Sequence, residues 1–324
     1  MAQLHGQDVR LFTLSSNPSL ANEIANYIGV PLSECNVIHF ADGEINVDIK
    51  ETVRNHHCFI IQSTSSPVNE NYMELLILID ALKRASAHTI NIIMPYYGYS
   101  RQDRKASARQ PISAKLMADL LTTAGASRLF AMDLHAAQIQ GFFNIPIDNF
   151  AALPVMVSYF LKKQLKDVVI VSPDHGGATR ARKFADYFSN APIAIIDKRR
   201  PKPNVAEVMS IVGDVKGKNC IIVDDIIDTA GSAVAAAEAL KKAGAKDIYM
   251  CVTHALLSGP AVDRIKNSCL KELVVSNSVT LPKEKQIPQI VQLSVAKIFG
   301  QGIINLVDSK PISDLFKYNP DFDK

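Results

Sequence analysis

One segment combines acidic and hydroxyl side chains at a spacing that suits anion binding. An apolar run at residues 221–223 ends in two acids, and a short turn then opens directly into a stretch rich in helix formers. Such a turn can present backbone N–H groups, hydroxyls and the positive end of a helix to a phosphate. Acids beside it would bind sugar hydroxyls or face a divalent metal, whereas an ordinary strand end with an Asp cap explains one acid. The site residues of this segment are Asp224, Asp228, Thr229, Ala230, Gly231 and Ser232.

Two other apolar runs are each followed by a potential metal ligand. Met132 leads through two residues to His135, and Ser172 leads through Pro173 to Asp174. A lone histidine after a strand is more often structural than a ligand, so the Asp174 loop, with two glycines for an anion-binding turn, is the stronger candidate. A histidine and a carboxylate with several water positions would suit Mg²⁺ held largely through substrate phosphates.

Two basic loops follow predicted strands. One spans residues 197–203 and contains Lys198 and Arg200, and the other spans residues 99–109 and contains Arg101. A run of charges is usually a solvated loop. Two cationic loops beside a strand-end phosphate site also resemble lids over polyphosphate, because positioning and charge neutralisation do most of the catalysis in phosphoryl-type transfer. Since Lys198 lies among cations, we expect it to be protonated and to act electrostatically, not as a general base.

Composition excludes several classes of protein. Lysine and arginine number 35 against 32 acids, a near balance that argues against a dedicated nucleic-acid binder. The five cysteines include no CxxC pair, and Cys58, Cys220 and Cys251 lie in apolar runs, which indicates reduced cysteines in a cytosolic protein. We find no secretory signal and no apolar run approaching the ~18 residues of a membrane span. We therefore expect a soluble, cytoplasmic protein.

The chemistry-bearing loops follow apolar runs that alternate with helical stretches. The runs lack polar alternation, as expected of parallel strands buried on both faces. For the helices, Asn17 and Gly29 are expected to begin and end one, and Ser113 to cap another that carries Leu116, Leu120 and Leu121 on one side. The pattern predicts an α/β fold of two doubly wound domains with central parallel sheets. The predicted strands cover residues 9–14, 58–62, 90–94, 129–132, 168–171, 193–196, 220–223 and 248–252.

Taken together, these segments resemble the class I ribose-phosphate pyrophosphokinases, also called phosphoribosyl pyrophosphate synthetases. The resemblance covers essentially the whole chain in order. Its last motif is shared with phosphoribosyltransferases, whereas the full set is highly specific. The motifs are Phe40-Ala-Asp42-Gly43-Glu44, Arg101-Gln102-Asp103, Met132-Asp-Leu-His135, Ser172-Pro-Asp174-His-Gly-Gly177, Asp197-Lys198-Arg-Arg200 and Val223-Asp-Asp-Ile-Ile-Asp-Thr-Ala-Gly-Ser232.

The resemblance implies a reaction and roles for residues. The family transfers the β,γ-diphosphate of MgATP to the 1-hydroxyl of D-ribose 5-phosphate, giving phosphoribosyl pyrophosphate and AMP for nucleotide biosynthesis. Asp224 and residues 228–232 would bind ribose 5-phosphate with help from Arg200, while Lys198 and Arg200 would offset charge on the transferred group. His135 and Asp174 would be the Mg²⁺ positions. The implied ATP-binding residues are Asp42, Gly43, Glu44, Arg101 and Gln102.

The resemblance also implies organisation and regulation. It predicts two phosphoribosyltransferase-like domains, at residues 1–150 and 151–307, with residues 308–324 returning to the first. It further implies a homohexamer whose ATP site is shared between neighbouring subunits, with phosphate as activator and ADP as inhibitor. Thr52 and Asn55 depart from the family pattern near the regulatory region. The residues that match an allosteric anion site are Arg54, Ser86, Arg109 and Ser313, although all four could be ordinary surface polar groups.

Other functions remain open from the residues alone. A phosphoribosyltransferase would share the 228–232 turn but would not need the ATP-binding set. A non-catalytic homologue would keep the fold and lose catalytic groups, yet Lys198, Arg200, His135 and Asp174 are present. A product-binding transcriptional regulator would need a DNA-reading module, which we do not find.

Overall fold

Strands and helices alternate along the chain in the computed structural model, which describes residues 3–199 and 208–316. Each of the eight predicted strands is confirmed, with bounds extended by a few residues. The strands are β1 Gln3–Leu4, β2 Gln7–Thr13, β3 Cys35–His39, β4 Ile45–Ile49, β5 His57–Ile61, β6 Thr89–Met94, β7 Arg128–Met132, β8 Ile147–Phe150, β9 Val168–Ser172, β10 Ile193–Arg199, β11 Val208–Val212, β12 Asn219–Ile227, β13 Ile248–Ala255, β14 Glu272–Ser276 and β15 Ile290–Leu293. The α-helices are α1 Pro18–Ile28, α2 Val68–Arg84, α3 Ser113–Ala124, α4 Leu153–Lys162, α5 Ala178–Asp186, α6 Gly231–Lys242, α7 Ala261–Lys266 and α8 Ala296–Val307.

The described residues form two compact units. Among the described residues, the first runs to Ala151 and also contains Ser278–Thr280 and residues 294–316, and the second comprises Ala152–Asn277 and Leu281–Leu293. Helix α8 thus groups with the first unit, whereas the sequence led us to expect residues up to 307 in the second domain. Close packing of α8 on α1 explains the difference, because a Cβ built on Gly300 would lie 2.4 Å from the Tyr27 ring.

The first unit contains a six-stranded sheet within its described residues, in the order β1-β2-β5-β6-β7-β8. Strand β1 is antiparallel to β2, and the other neighbours are parallel. The strand order follows the chain order throughout. Strands β3 and β4 form a separate antiparallel hairpin outside this sheet. The carboxyl edge of this sheet therefore carries loops that succeed one another along the chain.

The second unit contains a seven-stranded sheet in its described part, in the order β11-β10-β9-β12-β13-β14-β15. Strand β11 pairs antiparallel with β10, and the remaining pairs are parallel. The chain moves outward from β9 to β10 and then returns to place β12 on the other side of β9. This reversal brings the loops after β9 and β12 next to each other, which is where open α/β sheets bind ligands. The fold class predicted from sequence, α/β with central parallel sheets, is confirmed.

The structure can be compared with the helix ends predicted from the sequence for α1 and α3. Asn17 caps α1 by accepting a hydrogen bond from the backbone N–H of Leu20, and Gly29 ends the helix in the left-handed region at φ 72°, as predicted. The cap predicted at Ser113 is wrong. Helix α3 begins at Ser113 after Ile112, and the Ser113 hydroxyl donates to the side chain of Gln102 instead.

The predicted apolar side of α3 is also wrong in part. Leu121 is fully buried, but Leu116 and Leu120 are 53% and 39% exposed. The face packed in the core carries Ala114, Ala118 and Leu121. Two of these three buried residues are alanines, so hydrophobicity alone does not decide which face of α3 is inward.

The cysteines behave as predicted for apolar side chains. Cys58, Cys220 and Cys251 are buried, and all five cysteines are free thiols. Burial raises the pKa of the Cys58 thiol to about 12 and that of Cys220 to about 11. Among the helices described, none has the length and apolar character needed to cross a membrane.

Candidate active site

The turn between β12 and α6 exposes the start of a helix. Ala230 precedes α6 with φ 59° and ψ 3°, a left-handed conformation, and within the described part of the chain no side-chain cap hydrogen bond is made at the start of this helix. A left-handed non-glycine residue costs roughly 1–2 kcal/mol and is concentrated at functional sites. Thr229 and Ser232 are exposed beside these groups. We call residues 228–232 the phosphate turn, because uncapped N–H groups and the positive end of a helix favour an anion there.

An arginine supports the phosphate turn from outside the predicted site. The Arg264 guanidinium, on α7, donates a hydrogen bond to the backbone carbonyl of Thr229 at 2.9 Å. A Cβ added to Gly231 would lie 3.3 Å from Arg264 Nη1, so the glycine leaves room for this side chain. Arg264 could not be found from the sequence, because it lies on a short helix 35 positions from its partner.

Two adjacent carboxylates lie near the carboxyl end of strand β12. The side chains of Asp224 and Asp225, which we call the acidic pair, are 28% and 6% exposed. Arg180 on α5 contacts both of them, with Nη1 3.2 Å from Asp224 Oδ1 and 3.3 Å from Asp225 Oδ1. Burial, followed by the hydrogen bond and negative charge of Asp225, raises the pKa of Asp224 to about 7, while Arg180 opposes this rise. The Asp224 carboxyl group therefore ionises near neutral pH.

The loop after β9 is held by hydrogen bonds to its own backbone groups. Ser172 Oγ donates to the carbonyl of Asp174 at 2.6 Å, and the backbone N–H of Gly177 donates to Asp174 Oδ1 at 2.9 Å. A Cβ at Gly177 would lie 2.8 Å from Ser172 Oγ, so this position requires glycine. Asp174 itself is exposed. The exposed Asp174 carboxylate is therefore held in position by hydrogen bonds within the loop.

The strand that carries the predicted catalytic lysine is anchored just before it. His175 Nε2 lies 3.1 Å from Asp197 Oδ1, and Asp197 is 9% exposed. In the backbone ladder Lys198 is paired with Met209. Arg200 lies outside the described residues, so its predicted role stays a prediction.

The predicted ATP-binding acids lie on the hairpin of the first unit. The turn at residues 40–44 is closed by a hydrogen bond from the Phe40 N–H to the Glu44 carbonyl at 2.8 Å. Asp42 Oδ1 accepts the N–H of Glu44 at 3.0 Å, and Gly43 has φ 93°, which favours glycine. The turn is exposed, and Phe40 is 50% exposed. It therefore offers an aromatic face and two carboxylates to solvent.

A buried acid lies beneath this hairpin. Glu74, on α2, is 2% exposed and accepts from the Ser15 N–H and from Gln62 Nε2, each at 3.1 Å. Its other oxygen lies 3.4 Å from Nε2 of His39, the last residue of β3. Glu74 therefore links His39 of the hairpin to Ser15 and Gln62, which follow strands β2 and β5 of the sheet. The sequence did not reveal it, because an acid within an amphipathic helix usually lies on the solvated face.

Arg101 and Gln102 follow β6 in an exposed loop. Tyr99 is in the left-handed region at φ 63° and its carbonyl accepts the N–H of Gln102 at 2.9 Å. The Gln102 carbonyl in turn accepts the N–H of Ala114 at 3.2 Å. The start of α3 therefore fixes Gln102, and the neighbouring Arg101 side chain extends from a defined turn.

His135 follows β7 and is exposed. The backbone before it is fixed by Asp133, at φ 40°, and by the hydrogen bond from the Leu134 N–H to Asn149 Oδ1 at 3.1 Å. Over the described ranges, 3–199 and 208–316, no group of three or more His, Cys, Asp and Glu side chains could hold a metal ion.

The predicted allosteric residues are exposed polar groups of the first unit. The segments of Arg54 and Ser86 are adjacent, since the Asn55 N–H donates to the Ser86 carbonyl at 2.9 Å. Beside them His56 is 4% exposed, and its Nε2 has no hydrogen-bond partner among the described residues. Arg109 lies in the loop before α3 at φ 65°, and Ser313 begins a 3-10 turn, Ser313–Phe316.

The two units thus hold different parts of the predicted site. The second brings together Asp224, Asp225 and Arg180 near the phosphate turn, and the first carries the hairpin acids, the Arg101 loop and His135 on separate loops. These features define an α/β protein with an anion-binding turn and an acidic pair at the carboxyl edge of a parallel sheet.

Comparison with known proteins identifies the family. A family model described as the N-terminal domain of ribose phosphate pyrophosphokinase matches residues 9–125, and one described as the phosphoribosyl synthetase-associated domain matches residues 195–317. The chain is 60% identical to ribose-phosphate pyrophosphokinase of Bacillus subtilis over 97% of this chain and 99% of that protein. It is 61% identical to the Bacillus caldolyticus protein of that name over 95% and 98% of the two chains.

A solved structure agrees with these matches. The crystal structure of phosphoribosylpyrophosphate synthetase from Mycobacterium smegmatis has a TM-score of 0.89 and 41% sequence identity, and it covers 94% of this chain and 100% of that chain. The chain belongs to the ribose-phosphate pyrophosphokinase family.

Proposed function

We propose that this chain transfers the β,γ-diphosphate of MgATP to the 1-hydroxyl of D-ribose 5-phosphate, giving phosphoribosyl pyrophosphate and AMP. The observation that carries the proposal is the acidic pair beside an uncapped helix N-terminus. A sugar phosphate has a phosphate that suits the helix end and hydroxyls that suit carboxylates. The names of the relatives and of the matching family models support the same substrate.

In this proposal the second unit binds the ribose phosphate. Asp224 accepts hydrogen bonds from ribose hydroxyls, and the phosphate turn, residues 228–232, receives the 5-phosphate. Ala230 and Gly231 contribute backbone N–H groups, whereas Thr229 and Ser232 contribute hydroxyls. Because Asp224 loses a proton only near neutral pH, ribose binding depends on its ionised form.

The first unit supplies the nucleotide-binding residues. Asp42, Gly43 and Glu44 on the hairpin turn, with Arg101 and Gln102 on the loop after β6, would contact ATP. The exposed arginine is suited to phosphate oxygens, since a guanidinium donates several hydrogen bonds in one plane.

Mg²⁺ is the proposed cofactor. Asp174 offers the oxygen ligand that Mg²⁺ prefers, and His135 offers an imidazole. Two protein ligands suit an ion that keeps several waters and is held mainly by substrate phosphates, in keeping with the lack of a three-ligand cluster in the described ranges. When bound, the ion would neutralise charge on the polyphosphate.

Charge neutralisation is assigned to Lys198 and Arg200. The 1-hydroxyl oxygen attacks the β-phosphorus and its proton passes to solvent, while the bond from that phosphorus to the oxygen of the α-phosphate breaks and AMP leaves with that oxygen. Negative charge on the transferred diphosphate is then offset by the lysine and arginine side chains. Lys198 follows Asp197, whose contact with His175 fixes the strand just before the lysine.

We further propose a cytoplasmic homohexamer with the ATP site shared between neighbouring subunits, activated by phosphate and inhibited by ADP. Arg54, Ser86, Arg109 and Ser313 are the proposed effector-binding residues. The free thiols fit a reducing compartment. We propose no nucleic-acid or membrane partner.

A coupled assay for AMP release from ATP and ribose 5-phosphate tests the reaction. We expect AMP to appear in proportion to phosphoribosyl pyrophosphate and only when both substrates and Mg²⁺ are present. A phosphoribosyltransferase would release diphosphate from phosphoribosyl pyrophosphate and a base instead, and a non-catalytic homologue would release no AMP.

A further inference from the structure

Arg180 has no part in the reaction as described so far, yet it lies against the proposed ribose site. It is on α5, the helix that follows β9, and it reaches the end of β12 across the point where the strand order reverses. A single nitrogen, Nη1, contacts both carboxylates of the acidic pair, at 3.2 Å and 3.3 Å. The Arg180 side chain is 29% exposed, so these contacts are partly shielded from water.

The acidic pair needs a cation. Adjacent carboxylates repel each other, and burial disfavours their charged forms. Burial and Asp225 together raise the pKa of Asp224, and Arg180 is the cation that opposes the rise. The other titratable groups on this edge are Asp228 of the phosphate turn, His254 on neighbouring β13, and Asp174 and His175 after β9.

Protonation would change how the acidic pair binds a sugar. An ionised carboxylate accepts hydrogen bonds on both oxygens, whereas a protonated one uses an oxygen as a donor. Ribose hydroxyls bound by a carboxylate donate to it, and these charge-assisted bonds are stronger than neutral ones. Loss of the negative charge would therefore weaken ribose binding without altering the nucleotide site.

We propose that Arg180 is a positioning residue that holds the Asp224 and Asp225 side chains in place and favours a negatively charged Asp224, so that Asp224 can accept the ribose hydroxyls. This inference rests on the proposed function, because it assigns the ribose of that reaction to the acidic pair. Arg180 acts through the carboxylates and does not itself contact the sugar. One nitrogen serves both contacts, so a lysine ammonium can partly replace the guanidinium.

The experiment compares Arg180→Gln and Arg180→Lys with wild type between pH 6 and pH 9. Binding of ribose 5-phosphate is measured by calorimetry on the full chain, and the KM values for ribose 5-phosphate and ATP by AMP release. Arg182→Gln is the matched control, since Arg182 is an exposed arginine on the same helix. The phosphate of the substrate also titrates, near pH 6, but equally for every variant.

We expect Arg180→Gln to weaken ribose 5-phosphate binding about tenfold or more at pH 7, the loss of one charge-assisted interaction. The deficit should shrink as the pH rises to 9, because alkaline pH ionises the acidic pair without help from a cation. Arg180→Lys should stay within a few-fold of wild type. The KM for ATP should not change in either variant, and Arg182→Gln should match wild type throughout.

Three results would overturn the inference: normal binding by Arg180→Gln, a deficit that is independent of pH, or a folded Arg180→Lys that does not bind ribose 5-phosphate. If Arg180→Gln fails to fold, the lysine variant decides by the same binding measurement. Ribose 5-phosphate binding that depends on Arg180, together with an absence of AMP release by wild type, would support the inference and contradict the proposed reaction.

Discussion

The two units carry their functional side chains in different ways. In the second unit the strand order reverses between β9 and β12, and the ion pairs of Arg180 with the acidic pair link α5, the helix that follows β9, to β12. In the first unit the strand order follows the chain, and the proposed nucleotide-binding residues lie on an exposed hairpin and an exposed loop.

This difference shows how one fold class can build two kinds of site. The ribose-phosphate residues are partly buried and held by side chains from other elements, so much of that site exists before the substrate binds. The hairpin turn is held mainly by its own backbone hydrogen bonds, with the Glu74 network beneath it. We therefore expect substitutions at the site in the second unit to change both stability and function. Substitutions in the exposed turns of the first unit should change function with little effect on stability.

The largest effect is expected from Lys198→Ala. Its side chain would meet charge that develops during transfer, so turnover should fall about 100-fold or more. The KM for ribose 5-phosphate should change far less. Steady-state kinetics provides the measurement, with Lys202→Ala in the same basic run as the control. Equal losses in binding and turnover would indicate a ground-state role for Lys198.

The acidic pair should lower the free energy of unfolding of the second unit. Because the pKa of Asp224 is raised from 3.8 to about 7 in the folded state, the unfolded chain loses its proton first as the pH rises. The free energy of unfolding should then fall between about pH 4 and pH 7. We expect a fall of about 1–3 kcal/mol.

Asp224→Asn should remove this pH dependence. The variant should have a higher thermal unfolding midpoint than wild type at pH 8 and a smaller advantage at pH 5, while losing ribose 5-phosphate affinity. Asp42→Asn, an exposed acid of the first unit, is the control and should shift the midpoint little. A lower thermal unfolding midpoint for Asp224→Asn than for wild type at pH 8 would contradict the prediction that the acidic pair destabilises the second unit.

The hairpin should show the opposite behaviour. Asp42→Ala removes a proposed ATP contact and the side-chain hydrogen bond to the Glu44 N–H. We expect the KM for ATP to rise about tenfold, as for one hydrogen bond to a charged group. The thermal midpoint and the KM for ribose 5-phosphate should stay near wild type. A large fall in the midpoint would mean that the hairpin turn supports the fold of the first unit.

The smallest effect is expected from Arg54→Ala, which lies outside both substrate-binding sets. Activation by inorganic phosphate and inhibition by ADP should weaken several-fold, with basal catalysis largely intact. Initial rates against phosphate concentration provide the measurement. Arg84→Ala removes another exposed arginine of the same unit and serves as the control. Identical phosphate curves for wild type and Arg54→Ala would remove this residue from the regulatory site.

Local signals in the sequence predicted the fold well. Continuous apolar runs predicted most of the parallel strands but not β8, β14 and β15, and the Asn17 and Gly29 signals predicted both ends of α1. The prediction at Ser113 was wrong because its hydroxyl has a tertiary partner, Gln102, in the preceding loop. Propensity for a cap does not reveal such a competitor.

The candidate site was predictable only where its residues are neighbours in sequence. The phosphate turn and the acidic pair form one continuous segment, so their chemistry can be read from it. Arg180 lies 44 positions from Asp224, and Glu74 reaches His39 from a helix. These contacts depend on strand order and helix packing, which side-chain chemistry alone does not specify.

The account depends most on the assignment of ribose to Asp224. The direct test is the effect of Asp224→Ala on the two Michaelis constants, measured by AMP release at pH 8. We predict that the KM for ribose 5-phosphate rises about 10- to 100-fold, as expected for loss of a charge-assisted hydrogen bond worth about 1.5–3 kcal/mol. The KM for ATP should remain near wild type. A rise in the KM for ATP with an unchanged KM for ribose 5-phosphate would contradict the assignment.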